Sequence, residues 1–139
     1  MKQSKKTAIC LLCSFSALLF GLIIYIFCRQ GTHIHTALQS WFGLTLPTLH
    51  FGGFMGKLAR NWLGDFLWSF SLCFLLAEIC RPFRHRIGLA ILVPITLGTF
   101  LEILQLYGVI TGTADIWDIL IEAAAAFCAG IILKRGNLL

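Results

Sequence analysis

Four long apolar runs leave few folds open to this chain of 139 residues. A helix of about 20 apolar residues is long enough to cross the roughly 30 Å hydrocarbon core of a bilayer. The chain is 58% hydrophobic and 12% charged, which is too apolar for a soluble globule. We therefore predict an all-α membrane protein with four transmembrane helices in one domain covering residues 1–139. The spans are expected at about 8–28, 62–80, 87–107 and 116–133.

The first run has an alternative interpretation as a cleaved signal peptide, because three lysines precede it. The apolar core of a signal peptide is usually shorter, and small residues follow it at the cleavage site. Here the run ends in Tyr25-Ile-Phe-Cys-Arg29 instead. We interpret residues 8–28 as the first transmembrane helix.

The basic residues predict the orientation of the helices. Three lie at the amino terminus, three in the loop at 81–86 and two at the carboxyl terminus, which makes eight of the eleven Lys and Arg residues. Because cytoplasmic loops carry the excess of Lys and Arg, both termini are expected in the cytoplasm. The net charge of +5 is spread beside the spans, so we expect contact with membrane lipids and not with nucleic acid.

Residues 29–60 form one long loop between the first two spans, with Trp41 among several aromatic residues and glycines. This mixture favours the membrane interface. His33, His35 and His50 lie in the same loop, but a metal site needs three or four ligands in a fixed geometry. The spacing supplies no such set, and we predict no metal and no cofactor.

Six cysteines lie inside or at the ends of the apolar runs, where a disulfide framework has no loops to connect. Cys10-x-x-Cys13 has the spacing of a redox or zinc pair, but it opens a lipid-embedded helix and has no second pair near it. We expect the cysteines to act as small apolar packing residues.

Acidic residues are concentrated where the second span begins, the third ends and the fourth begins. Under the predicted topology all three positions fall in one outer layer, which holds five of the six acidic residues. Carboxylates at membrane depth cost a few kcal/mol each, so they face the interior of a bundle. The candidate polar cluster consists of Asp65, Glu102, Gln105, Asp115, Asp118 and Glu122, with Arg60 just above it.

The fourth span places its acidic residues on one helical face, because they are spaced three and four apart. Small residues continue that face and allow another helix, or a partner protein, to approach closely. These residues are Ala125, Ala126 and Ala129.

The acidic layer is compatible with three roles. It could form an internal ion-pair network with Lys57 and Arg60, or bind a cationic group or a divalent ion that bridges to a lipid phosphate. Passage of protons or cations has weaker support, because the helices below the layer are almost purely apolar. No catalytic residue is assigned.

The motif Glu102-x-x-Gln105, a short turn and Asp115-x-x-Asp118 resembles the carboxyl-terminal signature of the VanZ-like membrane proteins. The likeness is good over residues 100–130 and loose over the second to fourth spans. The sequence departs from the family at three positions. Gly112 stands where the family usually has Arg, Glu122 where it has Asn, and Ala125 where it has Gly.

The resemblance implies a place in the bacterial cytoplasmic membrane and a role in the cell envelope. The family is named for resistance to teicoplanin, so a lipophilic glycopeptide or an envelope precursor is the expected partner. Two alternatives remain open. One is a small membrane enzyme acting on a lipid phosphate or glycan through Glu102 and Asp118, and the other is a structural subunit of a larger complex.

Overall fold

A computed structural model describes residues 3–28, 33–44, 47, 49, 52–110, 113–136 and 138, without the side chains of 33–35, 55, 59 and 60. All regular structure in these residues is helical. The elements in chain order are α1 (Gln3–Cys28), α2 (His33–Phe42), α3 (Gly53–Lys57), a π-helical turn (Leu58–Trp62), α4 (Leu63–Ile79), α5 (Arg86–Leu106) and α6 (Ile116–Arg135).

Three of these helices, α1, α5 and α6, are long and apolar enough to cross a membrane. They confirm the first, third and fourth predicted spans as helices of sufficient length. The helix α4 has 17 residues and is shorter than the other three. The π-helical turn leads directly into it, so the helical path runs without a break from Leu58 to Ile79.

The predicted loop over residues 29–60 is wrong in part, because it contains the helices α2 and α3 and most of the π-helical turn. Apolar residues in α2 recur at helical spacing, which gives a short helix one apolar side. Gly43 ends α2 with a φ of 63°, and its N–H donates to the Gln39 carbonyl at 3.1 Å. Glycine is favoured there because a left-handed residue with this hydrogen bond is a common helix terminus.

The helix α4 is central and packs against α1, α5 and α6. The interfaces contain small residues, which allow the helix backbones to approach closely. At Gly130 a Cβ atom would lie 2.6 Å from the side chain of Ile91, so α5 and α6 are in close contact there. Large apolar side chains cover much of the outside of the bundle, as expected where lipid replaces water. The fully buried small residues are Cys10, Cys73, Ala90, Ala125, Ala126 and Ala129.

The three alanines of α6 are therefore covered within the chain itself. A partner subunit would have to use another surface.

Among the cysteines, Cys10 and Cys73 are buried packing residues as predicted, whereas Cys128 is exposed on the outer surface of α6. The prediction of a packing role is wrong for Cys128, because its position on α6 faces away from α4 and α5.

Two buried serines connect α1 to α4. The hydroxyl groups of Ser14 and Ser71 lie 2.9 Å apart, and the Ser71 hydroxyl also reaches the Ser14 carbonyl at 2.9 Å. We expect Ser71→Ala to destabilise the protein by about 1 kcal/mol, because it leaves the Ser14 hydroxyl without this partner. Thermal unfolding in detergent measures the effect. Ser16→Ala, on the exposed side of α1, is the control and should unfold like the wild type.

An ion pair marks the end of the bundle where α4 finishes. Arg81 and Glu78, three residues apart, form a local ion pair with 2.6 Å between the charged atoms. The Arg81 guanidinium also donates to the Thr7 hydroxyl at 2.9 Å. The start of α1 therefore lies beside the end of α4, and the start of α4 lies at the opposite end of the bundle.

Candidate functional site

Asp65, in the first turn of α4, belongs to the face of that helix that packs against α6. The Ser69 hydroxyl donates to the backbone carbonyl of Glu122 at 2.9 Å. One turn further along, the Cys73 thiol lies 3.9 Å from the Ala126 carbonyl. Asp65 precedes Ser69 by one helical turn, so it extends the same face toward the end of the bundle.

The acidic residue of α5 also follows a row of small buried positions. Ala90, Pro94 and Gly98 are buried and four residues apart. Glu102 occupies the next position of this row and is half-buried. The packing faces of α4 and α5 therefore each lead to a carboxylate at the same end of the bundle.

Glu122 is the most buried carboxylate of the site, with a relative exposure of 8%. Its side chain lies against the backbone of α5 at Gly98, where a Cβ atom would overlap the carboxyl group. The Oε2 atom of Glu122 is buried and makes no hydrogen bond within the described part of the chain. A buried acceptor without a hydrogen bond costs stability, so its retention needs a reason.

Three further carboxylates surround Glu122 from three helices. Asp65 of α4, Glu102 of α5 and Asp118 of α6 are close enough to interact with it electrostatically. We call Asp65, Glu102, Asp118 and Glu122 the acidic cluster. The acidic cluster therefore brings carboxylates from α4, α5 and α6 together at one end of the bundle.

Asp115 has a different place from the one its spacing suggested. It is the N-cap residue of α6 in an extended conformation, and its Oδ1 accepts from the Trp117 N–H at 3.0 Å. Its own N–H donates to Glu102 Oε2 at 2.8 Å. Asp115 therefore lies before the helical face that it was predicted to share, and it joins the start of α6 to the end of α5.

Because Asp115 caps α6, two substitutions at this position should differ in their effect on stability. Asp115→Ala should destabilise the protein by about 1 kcal/mol, because it removes the side-chain acceptor at the helix start. Asp115→Asn should stay near the wild type, because Asn caps about as well as Asp. Thermal unfolding of both variants in one detergent tests this. Equal losses in the two variants would show that the charge, and not the cap, is what stabilises the fold.

Two other predicted site residues stay outside the acidic cluster as far as it is described. Gln105 is half-buried in the last turn of α5, and its backbone carbonyl accepts from the Gly108 N–H at 2.9 Å. The side chain of Arg60 lies outside the described residues. The predicted ion pair between Arg60 and the carboxylates therefore stays a prediction. The side chains of His33, His35 and His50 also lie outside the described residues.

An apolar groove of about 440 Å³ borders the α4–α6 contact at the same end of the bundle. The Trp62 and Trp117 rings in its lining pack against each other, with centroids 6.4 Å apart and planes inclined by 40°. The residues that line it are Leu58, Trp62, Leu63, Phe66, Trp117 and Ile121.

Sequence reasoning missed both the groove and Gly98. Glycine four residues before Glu102 was the available signal for a close approach to α5. The groove had a weaker signal, because its aromatic residues are neighbours of acidic residues on two separate helices. A second, smaller cavity of about 160 Å³ lies between α5 and α6 and is lined in part by Glu102 and Asp115.

Within the described residues, no group of three or more His, Cys, Asp or Glu side chains is arranged to hold a metal ion. The acidic cluster thus has the charge to attract a cation without the geometry of a compact metal site. An ammonium or guanidinium group suits such a cluster, because its several donors can reach acceptors that are spread over three helices.

Comparison with known proteins returned no matching family model, no similar curated protein and no similar solved structure.

Proposed function

We propose that this chain is a four-span membrane protein of the VanZ-like type that binds the cationic group of an amphiphilic envelope molecule at its acidic cluster. One observation carries the proposal: the buried Glu122 carboxylate has an oxygen that makes no hydrogen bond to any described residue, and three other carboxylates lie near it. A cation at this place would supply the missing donor and offset the repulsion among the four groups.

The proposed orientation places the acidic cluster at the outer side of the cytoplasmic membrane, with both termini in the cytoplasm. The contact between Arg81 and Thr7 supports it, because it puts the basic residues near the chain start and after α4 at one end of the bundle. The bond from Asp115 to Glu102 belongs to the opposite end. In this arrangement α4 and the π-helical turn together form the second span.

The second to fourth spans provide the four carboxylates, so the site depends on the packed bundle and not on a loop. In a partly dry environment an ion pair with a ligand is stronger than in water. Binding of a cationic headgroup from the outer leaflet would form such an ion pair.

The envelope role is tested by teicoplanin susceptibility in a sensitive Gram-positive host with empty vector, the wild type or Asp118→Asn. With matched membrane expression, we expect the wild type alone to protect. Glu78→Gln serves as the control. It removes a negative charge from the opposite end of the bundle, keeps an acceptor oxygen for the Arg81 guanidinium, and should keep the protection. Protection by Asp118→Asn equal to that of the wild type would contradict a functional acidic cluster.

A further inference from the structure

The apolar groove lies directly beside the acidic cluster. Three of its lining residues adjoin acidic residues in sequence, on the two helices that meet there. The neighbouring pairs are Asp65 with Phe66, Trp117 with Asp118, and Ile121 with Glu122. A ligand whose charged group binds at the acidic cluster therefore has the apolar groove next to it.

We infer that this groove holds the alkyl chain of a single-chain amphiphile whose ammonium group lies at the acidic cluster. This inference rests on the proposed function and narrows its ligand to an alkylammonium compound. Charge complementarity selects the headgroup, since the buried Oε2 of Glu122, which has no hydrogen bond within the described residues, accepts from an ammonium group and repels an anion.

The lining of the groove favours an alkyl chain over a peptide. The atoms that face it are apolar, so they offer no partner for backbone N–H and C=O groups. An extended peptide at membrane depth would leave those groups without hydrogen bonds, at several kcal/mol for each. A hydrocarbon chain carries no such groups. The volume of about 440 Å³ lies in the range of small-molecule sites, about 300–1,000 Å³.

The positions of the lining residues also indicate in which direction the alkyl chain of the ligand runs. Trp62 and Trp117 stand at the ends of their helices, where tryptophan rings favour the headgroup level. From there Phe66 and Ile121 continue the groove by about one helical turn, roughly 6 Å, toward the membrane centre. The headgroup therefore lies near the tryptophans and the acidic cluster, with the chain running inward.

The groove does not supply the main driving force. Lipid tails are as apolar as the groove, so moving a chain between them changes little free energy. The charged headgroup provides the affinity, while the groove provides room for the attached chain. A side chain that fills the groove should therefore exclude long-chain ligands and leave short ones unaffected.

The test uses the full-length protein in nanodiscs and a hexadecylammonium probe with a photoreactive diazirine on its chain. Cross-linked residues are mapped by mass spectrometry. We expect labelling in α4 and α6 at the groove, and loss of that labelling when propylammonium is added in excess, since it competes for the acidic cluster. Hexadecyl sulfate with the same diazirine should not label the groove.

Two variants separate the groove from the acidic cluster. Ile121→Trp fills the groove and should abolish labelling by the long-chain probe while keeping propylammonium binding, measured by ligand-induced thermal stabilisation. Leu120→Trp adds the same side chain on the exposed side of α6 and should label like the wild type. Should Ile121→Trp fail to fold, the positions labelled in the wild type decide the matter.

Different results would contradict the groove inference and the proposed function. Label that maps outside the groove and ignores Ile121→Trp, while propylammonium still stabilises the protein, overturns the groove inference alone. Equal labelling by the sulfate probe, with no propylammonium binding, overturns the proposed function as well.

Discussion

Gly98→Ala is expected to destabilise the protein, and removal of the Glu122 side chain is expected to reverse much of that loss. A Cβ atom at residue 98 would overlap the Glu122 carboxyl group, so one of the two helices has to move. Overpacking of a dense interface costs about 1–3 kcal/mol. In the double variant Gly98→Ala with Glu122→Ala, the added methyl group occupies space that the carboxylate has left. Thermal unfolding of the two single variants and the double variant measures the coupling between the residues.

Gly88→Ala is the matched control for this experiment. Gly88 lies in the same helix, and a Cβ atom there meets nothing within 4 Å. We expect it to be neutral or stabilising by about 0.5–1 kcal/mol, because glycine is unfavourable inside a helix. If Gly98→Ala unfolded like Gly88→Ala, or if the two sites were additive, then Glu122 would not lie against Gly98.

Glu122→Met is expected to keep or raise the stability of the protein while abolishing its function. The substitution replaces a buried carboxyl group, one oxygen of which has no hydrogen bond, by an apolar side chain of similar length. A buried polar atom without a partner costs about 1–3 kcal/mol, and removing it returns some of this free energy. Thermal unfolding and teicoplanin susceptibility of the same variant measure the two effects. Gain of stability with loss of function is typical of residues retained for binding.

Glu78→Met provides the contrast at the other end of the bundle. Glu78 is paired with Arg81 at 2.6 Å, so this change leaves a half-buried guanidinium without its carboxylate and should destabilise the protein. If Glu122→Met were as destabilising as Glu78→Met, the acidic cluster would be a structural ion-pair network. In that case Glu122 would have a partner that stabilises the fold.

The long helices could be predicted from the sequence because helix formation in an apolar run depends on local properties. The length and polarity of each apolar run predicted α1, α5 and α6, and helical spacing placed Asp118 and Glu122 on one side of α6. The helices within residues 29–60 were missed. The apolar spacing in α2 was the available signal, but α2 is short and is followed by a glycine-rich stretch with no clear period.

The sequence by itself determined that the carboxylates lie at helix ends, because a charge in the middle of an apolar span is too costly. Only the tertiary structure decided which of them meet. The cap formed by Asp115, the contact of Glu122 with Gly98 and the groove lined by Trp62 and Trp117 all depend on the distance and rotation between helices. Periodicity describes one helix at a time, whereas these features arise where small residues allow two helices to come close together.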